Sequence, residues 1–213
     1  METNRLSQLM TLTCGGQLER PVTRAHETML AIFAVVAALA LSALWGIAAG
    51  SSSATLAVAN AYKVPMVILL SALTALPAGL VALRLTNAKL TAIELSSAFA
   101  RAIFGGALVL ATLAPLVAIY YHTSSKAGIP IALGSVFIAL GTATLLFGRA
   151  VVRRMLENTG SATTGRMASL IAVVVLVTLF VAALMQYVAV ASPIIGEVGT
   201  RFDGGFDTMF TRP

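Results

Sequence analysis

The sequence predicts an all-α fold, a polytopic transmembrane bundle of about five helices with its N-terminus cytoplasmic and its C-terminus outside. Three observations predict it. Hydrophobic residues make up 58% of the 213-residue chain and charged residues only 10%, with a mean hydropathy of +0.93. No soluble domain hides that much apolar surface. Five long apolar runs alternate with short polar stretches, and none shows the period-two alternation of a membrane β-barrel. The 14 basic residues lie asymmetrically about those runs.

A spanning helix needs about 20 mostly apolar residues, because each adds about 1.5 Å to cross a hydrocarbon core of roughly 30 Å. Residues 28–50, 64–83, 98–121, 127–148 and 167–190 meet that requirement. Helix is the required form, since lipid offers no partner to an unpaired N–H or C=O. The first run can also be read as a cleavable signal sequence ending at Ala48-Ala49-Gly50. Its length and its long polar lead favour a retained anchor.

Orientation follows from Lys and Arg, which are retained on the cytoplasmic side. Arg5, Arg20, Arg24, Arg84, Lys89, Arg101, Arg149, Arg153, Arg154 and Arg166 fall on one side of the five runs. Lys63, Lys126, Arg201 and Arg212 fall on the other. Trp45, Tyr62, Tyr120, Tyr121 and Tyr187 stand near the expected outer ends, where amphipathic rings favour the membrane–water boundary.

The chain divides into a cytoplasmic segment 1–27, a transmembrane domain 28–191 and an outer tail 192–213. In the first, Leu6, Leu9, Met10 and Leu12 have the spacing of a short amphipathic helix lying on the membrane, ended by Gly15-Gly16; a disordered tail is the alternative. Residues 85–97 read as an interfacial elbow. Arg149 to Glu157 extend the fourth span to a turn at Asn158-Thr159-Gly160, with a flexible loop at 161–165. The tail carries Phe202, Phe206 and Phe210 as a strip for a partner or for loose anchoring at the outer surface.

Membrane helices associate where small residues let backbones approach. Ala34, Ala38, Ser42, Gly46 and Gly50 form one such stripe, and Ala98, Ala102, Gly106, Ala114 and Ala118 another. Gly134, Gly141 and Gly148 recur at intervals of seven. These are helix-packing faces, either inside the bundle or between subunits. Pro77, with Gly79, marks an expected break or kink in the second span, and Pro115 is a similar candidate in the third. Pro65 and Pro130 sit near span starts, where proline is tolerated.

Pumps and coupled carriers place ionisable groups at membrane depth. None stands centrally in these runs, and Arg101 and Lys63 are expected to snorkel to an end. Ser71, Thr74, Thr112, Ser135, Thr142, Thr144 and Thr178 are expected to bond their own helix carbonyls. His26 and His122 fall on opposite sides, Cys14 is the one cysteine, and no nucleophile–base set or carboxylate cluster stands out. No catalytic residue, metal, cofactor or nucleic-acid contact is therefore expected; the partners expected are membrane lipids and other membrane subunits or a second copy.

The stretch Ala61-Tyr62-Lys63-Val64-Pro65, leading into a run with Pro77 inside it, resembles a signature of bacterial membrane proteins related to the YIP family. Gln186, Tyr187 and the segment Ser192-Pro193-Ile194-Ile195-Gly196 are similar to the way those proteins close their last span. Ser192 stands in place of arginine, Ile194 in place of phenylalanine, and Ala189 where tryptophan is usual. The resemblance implies a five-span fold with the same orientation, a bacterial inner membrane and a non-enzymatic membrane organiser. The leading functional expectation is a scaffold or accessory subunit, and the alternative is a small-solute carrier or channel with its path near Pro77.

Overall fold

The computed structural model describes residues 5–13, 23–85, 90–123, 127–159 and 163–190. Six helices occupy them: α1 (Arg5–Thr13), α2 (Arg24–Ala49), α3 (Ala54–Leu85), α4 (Ala92–Thr123), α5 (Gly128–Thr159) and α6 (Thr163–Val190). Helices α2 to α6 each contain a segment long and apolar enough to cross a membrane. Among the described residues the fold is thus all-helical and, by composition, that of a multi-pass membrane protein.

Local chemistry sets the helix ends. Thr23 caps α2, accepting from the His26 backbone N–H, and Glu27 adds a negative charge to the first turn, where the helix dipole favours it. Ser53 accepts the Leu56 N–H at 3.1 Å to begin α3. Thr91 and Glu94 form a reciprocal capping box: the Thr91 N–H donates to Glu94 Oε2 at 2.8 Å, and the Glu94 N–H to Thr91 Oγ1 at 3.3 Å. That box makes residues 92–97 of the expected elbow the first turns of α4. Likewise, α6 begins at Thr163, within the stretch expected to be loop.

Helix α4 is the hub. From Ser97 to Ala107 every residue except Arg101 is buried, because small side chains on opposite faces admit α2 on one side and α5 on the other. Helix α2 also packs on α3, and α3 on α6, while α5 and α6 touch only lightly. The order α5–α4–α2–α3–α6 therefore closes on itself at a thin α5–α6 seam. Helix α1 lies against α4 and α2, with Leu9 fully buried and Gln8 Oε1 3.2 Å from His26 Nε2. It docks on the bundle, where the sequence suggested a helix on the lipid surface or a disordered tail.

Three prolines stand inside helices α3 and α4. Helix α3 runs unbroken through both Pro65 and Pro77, and α4 through Pro115. Pro65 stands well inside α3, whose start at Ala54 precedes the expected start of the span. Of the break or kink expected at Pro77 and Gly79, the break is absent; neighbouring helices hold such a position in register, and here Gly79 lies under the Leu176 side chain of α6.

Candidate functional site

Two polar layers bracket the apolar bundle. The rise from Glu27 to Trp45 along α2 is about 27 Å, and from Ser135 to Arg154 along α5 about 28 Å, at about 1.5 Å per residue. Both are close to the hydrocarbon thickness of roughly 30 Å. The end carrying Glu27, Arg101 and Arg154 is called the basic end below.

At the basic end, three helices meet in an ionic clasp. Glu27 Oε1 of α2 accepts from Arg154 Nη2 of α5 at 2.5 Å and from Ser97 Oγ of α4 at 2.7 Å. Arg101 Nη2 approaches the same oxygen at 3.8 Å and donates to Ser97 Oγ at 3.2 Å, while its Nε donates to the Ser97 carbonyl at 3.0 Å. Glu94 Oε1 lies 3.5 Å from Arg154 Nη1. The side chains of Arg101, Glu27 and Arg154 are 15%, 17% and 25% exposed, so Arg101 is tied into the clasp and does not snorkel to water. Two carboxylates face two guanidiniums, which lets four charges sit at the hydrocarbon edge.

Below the clasp, Phe99 meets Phe147 and Phe180 edge to face, with centroids 5.6 and 5.2 Å apart. These rings and Ile103, Leu140 and Val177 line an apolar cleft with about 20 Å³ of free space, room for about one water-sized group. It has no polar group placed for chemistry beyond Thr144.

At the far end, Trp45 is 2% exposed and donates through Nε1 to Ser135 Oγ at 3.0 Å. It is a core residue, not part of a boundary belt. Tyr62 and Tyr120 are exposed as a belt requires, whereas the Tyr121 hydroxyl is buried and unbonded, and Tyr187 reaches Thr74 of α3 at 3.1 Å. Asn60 and Lys63 of α3 are both fully enclosed, at 0% exposure. Lys63 therefore does not snorkel either. Neither Asn60 Oδ1 nor Nδ2 has a hydrogen-bond partner.

The small-residue faces separate into two groups. Ala34, Ala38, Ser42 and Gly46 are buried inside the bundle. A Cβ on Gly46 would reach 2.8 Å from the Asn60 carbonyl carbon, and one on Gly50 would reach 2.6 Å from Ala57 Cα. A Cβ on Gly106 would likewise meet α5, 3.0 Å from the Ala139 carbonyl oxygen. By contrast, a Cβ on Gly134, Gly141 or Gly148 would meet nothing within 4 Å, so these three pack against nothing within the described chain. The inward face of α5 uses Ala132, Ser135, Ala139, Phe147 and Val151 instead.

Five of the hydroxyls do bond their own helices: Ser71 to the Val67 carbonyl at 2.6 Å, Thr74 to Leu70 at 2.9 Å, Thr112 to Val109 at 2.8 Å, Ser135 to Ala132 at 2.6 Å and Thr142 to Ile138 at 2.9 Å. Phe202, Phe206, Phe210, the segment from Ser192 to Gly196 and Cys14 lie outside the described residues. No group of three or more His, Cys, Asp or Glu that could hold a metal ion occurs among the described residues. The capping pattern of Thr91 and Glu94 was readable in the sequence, but nothing there joined Glu94 to Glu27 and Arg154.

Comparison of the chain with protein-family models, with curated proteins and with solved structures finds no match.

Proposed function

We propose that the protein is a non-catalytic membrane organiser, a scaffold or an accessory subunit, that acts through helix packing in a bacterial inner membrane with its basic end cytoplasmic. One observation carries the reading: Gly134, Gly141 and Gly148 offer a smooth backbone stripe that no part of the described chain covers. Phe137, Ile138 and Leu145 stand exposed on the same helix. Apolar side chains gain little by leaving lipid for one another, so glycines that permit close backbone approach are where a second membrane helix gains contact. The similarity of the Ala61 to Pro65 stretch and the Gln186-Tyr187 region to YIP-related proteins supports the same role. Membrane lipids and other membrane subunits, or a second copy, are the partners proposed.

The test is cysteine cross-linking at Gly141→Cys in a Cys14→Ser background, in native membranes, alongside native mass spectrometry of the gently released protein. A cross-linked species of the Gly141→Cys protein, and an assembly in native mass spectrometry that Gly141→Leu abolishes, are the expected results. A monomer in both measurements would overturn the reading.

A small-solute carrier or channel with its path near Pro77 is the second reading, favoured by the buried and unbonded Asn60 amide on the same helix.

A further inference from the structure

Helices α2 and α3 leave their shared turn in close contact, with Gly46 against the Asn60 backbone and Gly50 against Ala57. At about 3.6 residues per turn, the α3 face that begins this contact runs on from Asn60 through Lys63 and Val67 to Thr74, Val81 and Leu85. The first three are buried, whereas the last three are exposed. On α2, Thr28 stands about five turns from Gly46 on the same face, with Ile32 one turn nearer, and both are exposed. The hairpin is therefore a V, closed at the far end and parted toward the basic end. Ile32, Val81 and Leu85 are each more than half exposed, so the groove between the arms is apolar and open to lipid.

Charge marks the open end of that groove. The register of Gly46 on Asn60, in an antiparallel pair, carries Arg24 to the level of Ala82, so Arg84 lies about 3 Å further along the axis. Both arginines are exposed, and no ion pair engages either side chain among the described residues. The carboxylates described at this end, Glu27 and Glu94, are taken up by the clasp. We propose that the groove binds one anionic phospholipid, with its phosphate between Arg24 and Arg84 and an acyl chain laid along Ile32, Val81 and Leu85. Guanidinium N–H groups donate in pairs to phosphate oxygens, and each basic residue near an anionic leaflet adds to the attraction. A flexible hydrocarbon chain fits a groove that narrows to a glycine contact, where a second spanning helix does not. A second copy seated here would also set its own Arg24 and Arg84 against these two, a costly juxtaposition of like charges. The site specifies the lipid partner proposed above and rests on that reading, independently of the glycine stripe of α5.

The experiment uses the full-length protein in phosphatidylcholine nanodiscs carrying increasing proportions of phosphatidylglycerol, read by Tm and by native mass spectrometry of the lipid retained on release. Phosphatidylglycerol is expected to raise Tm with a saturable dependence and to stay bound as a single molecule. Arg24→Gln and Arg84→Gln are each expected to weaken that binding about fivefold. Ile32→Trp fills the groove while keeping both arginines, and is expected to weaken it as well. All three change exposed residues and are expected to keep the parent Tm in pure phosphatidylcholine. Arg149→Gln removes an exposed arginine of α5 and is expected to leave binding unchanged, as is Gly141→Leu, which bears on the scaffold assembly alone. Absence of a phosphatidylglycerol effect would overturn the site, and if Gly141→Cys still cross-links, the scaffold reading stands without it. A loss through Arg149→Gln as large as through Arg24→Gln would reduce the site to the general attraction of a basic surface. Unaltered binding by Ile32→Trp would overturn the seating of the acyl chain. Stabilisation by soluble glycerol phosphate in pure phosphatidylcholine, equal to that by phosphatidylglycerol, would overturn the lipid assignment.

Discussion

Removing the Glu27 carboxylate puts the ionic clasp to a quantitative test. Glu27 receives hydrogen bonds from Ser97 and from Arg154, at 2.7 and 2.5 Å, and bonds to charged groups contribute about 1.5–3 kcal/mol each. The simple sum, about 3–6 kcal/mol, overstates the loss. Arg154 keeps Glu94 at 3.5 Å, and its 25% exposure lets water replace part of what is removed. We expect Glu27→Leu to cost about 2–3 kcal/mol, between an exposed pair and the about 3–5 kcal/mol of a fully buried one. At about 2–4 °C per kcal/mol for a chain of this size, Tm falls by about 5–10 °C. Reversible unfolding in a mild detergent measures it, followed by near-ultraviolet circular dichroism. A double-mutant cycle with Glu27→Gln and Arg154→Gln isolates the pair and is expected to return a coupling of about 1–2 kcal/mol. Arg149→Gln, on an exposed residue, controls for net charge and is expected to stay within about 0.5 kcal/mol. A coupling near zero, or a Glu27→Leu protein as stable as the parent, would show that the clasp holds nothing together.

Further expectations follow from packing. Gly46→Ala places a methyl against the Asn60 backbone and is expected to destabilise by about 1–3 kcal/mol. Gly141→Ala meets open space and is expected to be neutral or stabilising by up to about 1 kcal/mol; equal effects in the same unfolding assay would refute the division of the glycines. Trp45 is the one tryptophan and is 2% exposed, so its fluorescence should be resistant to aqueous quenchers. Ser135→Ala should shift its emission and cost about 0.6–1.7 kcal/mol, the range for hydrogen bonds between membrane helices; unchanged emission would refute the pairing. Phe99→Leu removes two edge-to-face contacts and is expected to cost about 1–3 kcal/mol, read as a lowered Tm.

The sequence by itself determined the number of spans, the all-helical form and the small-residue stripe of α2, because these follow from local quantities: segment length against bilayer thickness, unsatisfied backbone in lipid, and a recurrence every four residues. It set the start of the third span at 98, whereas the capping box of Thr91 and Glu94 begins α4 at Ala92. Only the tertiary structure decided which faces of those helices meet. Gly46 and Gly141 carry the same local signal, yet one is closed over by α3 and the other is open, because burial depends on where the neighbouring helix is placed. Trp45, Lys63 and Arg101 looked like residues reaching for a boundary, and each is turned inward instead. The clasp joins Glu27 of α2 and Arg154 of α5 to Glu94, Ser97 and Arg101 of α4 across sequence separations that no local pattern spans. Charges at the edge of the hydrocarbon gain more from one another than from a partial reach to water, and only the packed bundle brings them within that distance.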